Sequence, residues 1–262
     1  MRTELVSDPG DATRPNEDFA AVGLPASGQG GCVVVLDGVT PPKGGTGCLH
    51  SVPWFTARLG GALTELTVSL PDVTLTELLA RAIRRTADAH TATCDLSHPR
   101  TPQATVVLAR WTPDAVDHLV LSDSALLLRS PDGTVTPVLD DRLDRLPRAW
   151  LVSDAVCDAR ARNKEGGFFT AAADPEVAAR AVTGTLPRHE VRALAALTDG
   201  ATRWAERFGQ GDWRALLDVV RKEGARSLID RVRELETADR DQRAFLGRGK
   251  THDDATVAYV EL

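Results

Sequence analysis

Val33-Val34-Val35-Leu36 runs without a polar interruption into Asp37-Gly38. With Cys32 in front of it, the run is too short for a helix and shows no polar alternation, so it reads as a strand buried on both faces. Working outward, similar apolar runs at 104–109, 116–121, 125–128, 193–197 and 256–260 also read as strands. Pro131-Asp132-Gly133 separates 125–130 from 134–139 and predicts a β-hairpin. Two longer stretches, 49–70 and 74–96, carry apolar residues at helical spacing, with Leu75, Leu78, Leu79, Ala82 and Ile83 forming one stripe. Thr74 followed by Glu77 is a capping box for the second of them.

Later helices are expected at 175–182, 212–223 and 225–238. The strands come in bursts with helices grouped in pairs between them, which favours an α+β layered sandwich of mainly antiparallel sheets over a doubly wound fold. Residues 140–174, rich in Arg, Asp and Ala and broken at Gly166-Gly167, read as a partly helical excursion near the surface. The chain is expected to form a single domain, 1–262.

The 262 residues are 42% hydrophobic and 26% charged, enough material for a substantial core. The net charge of −6 argues against nucleic acid as a partner. No apolar stretch approaches the ~18–20 residues that span a bilayer, and residues 1–10 are charged with no apolar h-region, so the expectation is a cytoplasmic protein without a membrane segment. Lysine is confined to Lys43, Lys164, Lys222 and Lys250 while Arg and Ala abound, the bias of a GC-rich genome. Cys32, Cys48, Cys94 and Cys157 lie far apart, with no CxxC pair and no histidine at zinc-finger spacing. Neither a disulfide framework nor a structural zinc site is therefore expected.

Four acidic positions share a pattern. Asn16-Glu17-Asp18 precedes a short apolar segment, the opening run ends in Asp37-Gly38, 193–198 ends in Asp199-Gly200, and His252-Asp253-Asp254 opens the last strand. Singly, each is an ordinary turn or surface charge. As an ordered set they place carboxylates at the ends of buried strands, where they would repel one another unless cations neutralised them. Hard divalent ions such as Mg²⁺ or Mn²⁺ prefer such oxygen ligands. The glycines after Asp37 and Asp199 permit backbone conformations that bring a carbonyl close to a metal.

Six segments in order extend this set: Arg14-Pro15-Asn16-Glu17-Asp18, Val35-Leu36-Asp37-Gly38, Thr101-Pro102-Gln103-Ala104-Thr105-Val106, Leu121-Ser122-Asp123-Ser124-Ala125, Leu197-Thr198-Asp199-Gly200 and Asp253-Asp254-Ala255-Thr256. In this the chain resembles the metal-dependent protein phosphatases of the 2C type, the PPM class, as a divergent bacterial member. The resemblance implies a four-layer α/β/β/α sandwich, two antiparallel sheets flanked by helix pairs, with 140–174 as a flap beside the active site. It implies two Mn²⁺ or Mg²⁺ ions: Asp37 bridging them, Asp199 and Asp253 completing one shell, Glu17 and the Gly38 carbonyl serving the other. Asp18 and Asp254 would support the site from behind, and Arg14 would grip the substrate phosphate. The implied reaction is hydrolysis of phosphoserine or phosphothreonine in a protein by a metal-activated water. A catalytically silent regulator that binds a protein partner, and a phosphatase of a small phosphorylated metabolite, are the alternatives.

The chain also departs from the family pattern. Arg14 stands three residues before Glu17 where the family spacing is commonly four. A longer loop, 39–47, replaces the usual tight Gly-Gly after Asp37-Gly38. Val39 occupies a position where some members carry a histidine that protonates the leaving group; His50 could substitute, though it reads first as a helix-start histidine. Arg203 replaces an aspartate that holds a third metal in several members, so a third ion is expected to be weak or absent although Asp123 remains.

Overall fold

The structure, a computed structural model, describes residues 1–41, 44–242 and 251–262. Within it Cys32, Val33, Val34, Val35 and Leu36 are all fully buried. Among the described residues ten strands form two five-stranded sheets, and every pairing between these strands is antiparallel. One sheet runs in the order β2 (Phe19–Gly23), β3 (Gly31–Leu36), β4 (Val106–Trp111), β5 (Ala115–Leu121) and β8 (Val182–Pro187). The other runs β1 (Arg2–Asp8), β10 (Ala255–Glu261), β9 (Ala193–Leu197), β6 (Ala125–Arg129) and β7 (Val135–Val138).

Alternation along β3 accounts for its two buried faces. Val33 and Val35 share a core with Leu126, Leu194, Ala196 and Ala258 of the other sheet. Val34 and Leu36 point the opposite way, into a second core with Phe55 and Leu59 of α1 (Val52–Ser69) and Leu79 and Ile83 of α2 (Leu75–Asp88). The second sheet is covered on its outer face in the same manner. After the short α3 (Asp154–Arg160), helices α4 (Asp199–Glu206), α5 (Trp213–Glu223) and α6 (Ala225–Gln242) follow, and Leu217, Val220, Ile229 and Val232 pack on Ala195 and Val257. The result is the expected α+β, four-layer α/β/β/α sandwich.

Local chemistry sets the helix ends. Ser51 and Thr74 accept hydrogen bonds from the Trp54 and Glu77 N–H groups, both at 3.3 Å, and start α1 and α2. The second helix was expected to reach residue 96 but stops at Asp88; the chain then turns, and the Cys94 N–H donates to the His90 carbonyl at 3.0 Å. The helix expected at 175–182 is a 3₁₀ turn, Pro175–Arg180, and Val182 instead opens β8. Strand β1 is polar and half exposed, an edge strand held by its register with β10, and its sequence carries no apolar run to announce it.

Candidate metal centre

Register brings the acidic residues to one end of the sandwich. Phe19 of β2 pairs with Leu36 of β3, so Glu17 and Asp18 enter the first sheet where Asp37 and Gly38 leave it. In the second sheet Leu197 of β9 pairs with both Val257 of β10 and Ala125 of β6, which places Asp199, Asp253 and Asp123 at the same edge. Hydroxyls tie the two edges together: Thr105 and Ser124 lie 2.6 Å apart, and the Thr198 and Thr256 hydroxyls donate to Asp18 Oδ2 at 3.0 and 2.7 Å. Asp254 accepts the Gly10 and Glu17 N–H groups at 2.8 and 2.7 Å, fixing the segment that delivers Glu17.

A cleft of about 650 Å³ opens at this edge, lined by Asp37, Gly38, Asp123, Asp199 and Asp253. Glu17 lies in the walls of two adjoining cavities and accepts a hydrogen bond from the Thr40 hydroxyl of the loop after Gly38. Arg14 lines one of these cavities with Glu17; its side chain is 65% exposed and stands 3.9 Å from Asp11. The two glycines act through close approach, not through unusual backbone angles. A Cβ on Gly38 would meet the Glu17 carbonyl at 2.5 Å, and one on Gly200 would meet the Asp254 carbonyl at 2.0 Å. Each lets one acidic segment touch the next.

Burial pushes the Asp37 carboxyl well above the usual carboxylate range, and the charges of Asp199, Asp18, Asp123 and Asp253 push it further. Burial likewise raises Asp199 to about 7, with Asp123 and Asp253 adding repulsion against a lowering hydrogen bond with Asp37 and the charge of Arg203. Asp18 rises to about 7 for the same first reason, opposed by its two threonine donors. Asp123 is raised by burial as well. Crowded carboxylates that hold protons are a donor set suited to hard divalent cations, which would displace those protons.

Arg203 modifies this picture. Its guanidinium donates to Asp253 Oδ2 at 2.9 Å and to the buried Glu236 at 2.5 Å, so a fixed cation already touches one of the acidic positions. Residues 140–174 form one wall of the cleft through Leu143, Leu151, Asp154, Cys157, Arg162 and Phe168. Arg162, stacked 5.0 Å over the Phe168 ring, brings positive charge to that wall; nothing in its sequence context distinguishes it from its neighbouring arginines. Asp123 is aimed by Ser122, whose φ of 71° is the left-handed conformation that favours glycine. The His50 ring stacks on Trp54 with centroids 3.9 Å apart and faces two cysteine sulfurs.

A family model described as protein phosphatase 2C matches residues 11–244, and the chain belongs to that family. Solved structures agree on the fold. The serine/threonine phosphatase of S. agalactiae superimposes with a TM-score of 0.62 at 15% identity, over 100% of this chain and 99% of that one. The Mycobacterium tuberculosis serine/threonine phosphatase PstP/Ppp gives 0.60 at 17% identity, over 100% and 98%. The catalytic domain of PstP in complex with 2 manganese ions gives 0.57 at 18% identity, over 99% and 97%. A sequence search of curated proteins finds no match. The chain thus has the protein phosphatase 2C fold, and no helix among its described residues is long and apolar enough to cross a membrane.

Proposed function

We propose that this chain is a cytoplasmic, metal-dependent phosphatase that hydrolyses phosphoserine and phosphothreonine monoesters in proteins. The observation that carries the reading is the convergence of Asp37, Asp199 and Asp253 on one cleft, with the Asp37 and Asp199 carboxyls pushed upward by burial and mutual charge. Asp37 would be shared between two Mn²⁺ or Mg²⁺ ions, Asp199 and Asp253 would hold one, and Glu17 with the Gly38 carbonyl would hold the other. Bound there, the ions would supply an acidified water and neutralise the phosphoryl oxygens. Asp18 and Asp254 position the ligand-bearing segments through their hydroxyl and N–H donors. Arg14, on the rim beside Glu17, would grip the phosphate in bidentate fashion. The whole chain is read as one catalytic domain, with 140–174 as the flap over the cleft and loop 39–47 shaping its entrance; Pro42 and Lys43 of that loop lie outside the described residues.

The Arg203–Asp253 pair favours a second reading, a silent regulator whose acidic site is partly neutralised from within. Turnover of p-nitrophenyl phosphate with Mn²⁺ or Mg²⁺ separates the two. The wild type is expected to turn over only with metal, and Asp37→Ala and Asp199→Ala are expected to fall to the metal-free background. A wild type without metal-dependent turnover would sink the enzyme reading; turnover surviving both substitutions would sink the site assignment. Phosphopeptides compared with small phosphometabolites then decide the substrate class.

A further inference from the structure

Among the described residues, one group of metal-ligating side chains stands apart from the acidic cleft. Cys48, His50, His90 and Cys94 offer ligand atoms that all lie within 4.8 Å of one another. The helical hairpin explains the meeting: Cys48 and His50 enter α1, His90 and Cys94 leave α2, and antiparallel packing puts those two ends together. The turn after α2 does the rest, since the Cys94 N–H bond to the His90 carbonyl stacks these two side chains on one face.

We propose that these four residues bind a structural Zn²⁺ ion that clamps the loop following Asp37-Gly38 to the end of α2. Zn–S bonds of about 2.3 Å and Zn–N bonds of about 2.0–2.1 Å at tetrahedral angles separate sulfur from nitrogen by about 3.6 Å. The Nδ1 atom of His50 lies 3.7 Å from Cys48 Sγ and 3.4 Å from Cys94 Sγ, and His90 Nδ1 lies 3.4 Å from Cys48 Sγ. The two sulfurs are 3.0 Å apart, too far for the bond of about 2.05 Å in a disulfide. They would open to about 3.8 Å around the ion. Backbone donors already aim at both: the His50 N–H at Cys48 Sγ and the Leu49 N–H at Cys94 Sγ, each at 3.3 Å, the bonds that stabilise metal-bound thiolates. His90 is 2% exposed and turns its Nδ1 to Cys48 Sγ, so a buried imidazole already directs its donor atom into the cluster. Two soft sulfurs and two imidazoles in a tetrahedron select Zn²⁺ over Mg²⁺ or Mn²⁺. On this proposal the sequence expectation of no zinc site gives way, because Cys48-x-His50 and His90-x₃-Cys94 are two half-sites too far apart in sequence to read as one motif.

The clamp has a consequence for the cleft, because the loop it anchors carries Thr40, whose hydroxyl donates to Glu17. The test reads the metal and not activity. The full chain, purified under reducing conditions without chelator, is expected to hold one zinc per chain that survives exchange against excess Mg²⁺. Asp37→Asn should retain it, and Cys48→Ser/Cys94→Ser should lose it. If the double variant does not fold, the Co²⁺-substituted wild type decides, through the thiolate charge-transfer absorption and intense d–d bands of a tetrahedral sulfur site. Reduced, folded wild type that takes up neither Zn²⁺ nor Co²⁺ at a thiolate site overturns the proposal. So does zinc retained by the double variant, or a Cys48–Cys94 disulfide in protein from reducing cytosol.

Discussion

Arg203 is the residue at which this chain most clearly edits its acidic edge. Its guanidinium bridges Asp253 to Glu236, which is 1% exposed and also paired with Arg233 and His252. A metal ion recruiting Asp253 must therefore compete with a charge that is covalently present. Arg203→Ala is expected to tighten Mn²⁺ binding severalfold to about tenfold, up to about 1.4 kcal/mol, by removing this cationic competitor at Asp253 while Arg233 and His252 keep Glu236 paired. Isothermal titration with Mn²⁺ checks this; equal or weaker affinity in the variant would show that Arg203 organises Asp253 instead of competing for it. Arg203→Asp should further admit a third ion, visible as added stoichiometry in the same titration. The substitution itself is legible in the sequence, because it follows Asp199 by four positions. Its two partners are not, since Asp253 and Glu236 reach it from different elements.

At the scale of elements, α1 must approach β2 closely, because β2 leads directly from Glu17 and Asp18. Gly60 makes the approach possible: a Cβ there would fall 2.1 Å from the Phe19 ring. The next residue, Gly61, is exposed and its Cβ would meet nothing within 4 Å. Gly60→Ala is expected to destabilise by about 1–3 kcal/mol through overpacking, outweighing its helix-propensity gain. Gly61→Ala should stabilise by about 0.5–1 kcal/mol. Urea unfolding of the pair measures both, and shifts of the same sign would refute the packing argument. Buried elements were readable because apolar runs mark them, as with β3 and β9. The edge strands β1 and β8 were not: their sequences, RTELVSD and VTGTLP, are polar, and only pairing with a neighbour makes them strands.

For the molecule as a whole, the acidic edge is a stability cost that depends on pH. Asp18 and Asp199 titrate near 7 in the folded protein, against about 3.9 for an unfolded aspartate. The folded state therefore holds protons that the unfolded state has released, so their contribution is complete below about pH 4 and is lost as pH rises through about 7. Metal-free protein is expected to lose melting temperature between pH 5 and pH 8. Mn²⁺ should restore it at pH 8 and do little at pH 5, where protons occupy the same oxygens. Asp18→Asn removes one of these groups and should flatten the metal-free profile; a profile as steep as wild type would mean that Asp18 is not one of the groups responsible.

The opening run shows where sequence and tertiary structure divide the work. Val33 to Leu36, apolar on both faces, already implied a layer on each side, and the order of acidic strand ends already implied a shared edge. Both follow from local pattern, since burial is written in residue type and strand ends in the break of an apolar run. Only the folded chain decided that Arg203 lies against Asp253 and that Cys48, His50, His90 and Cys94 meet. These are contacts between residues distant in sequence, set by strand register and by the antiparallel α1–α2 hairpin, and no local pattern encodes them.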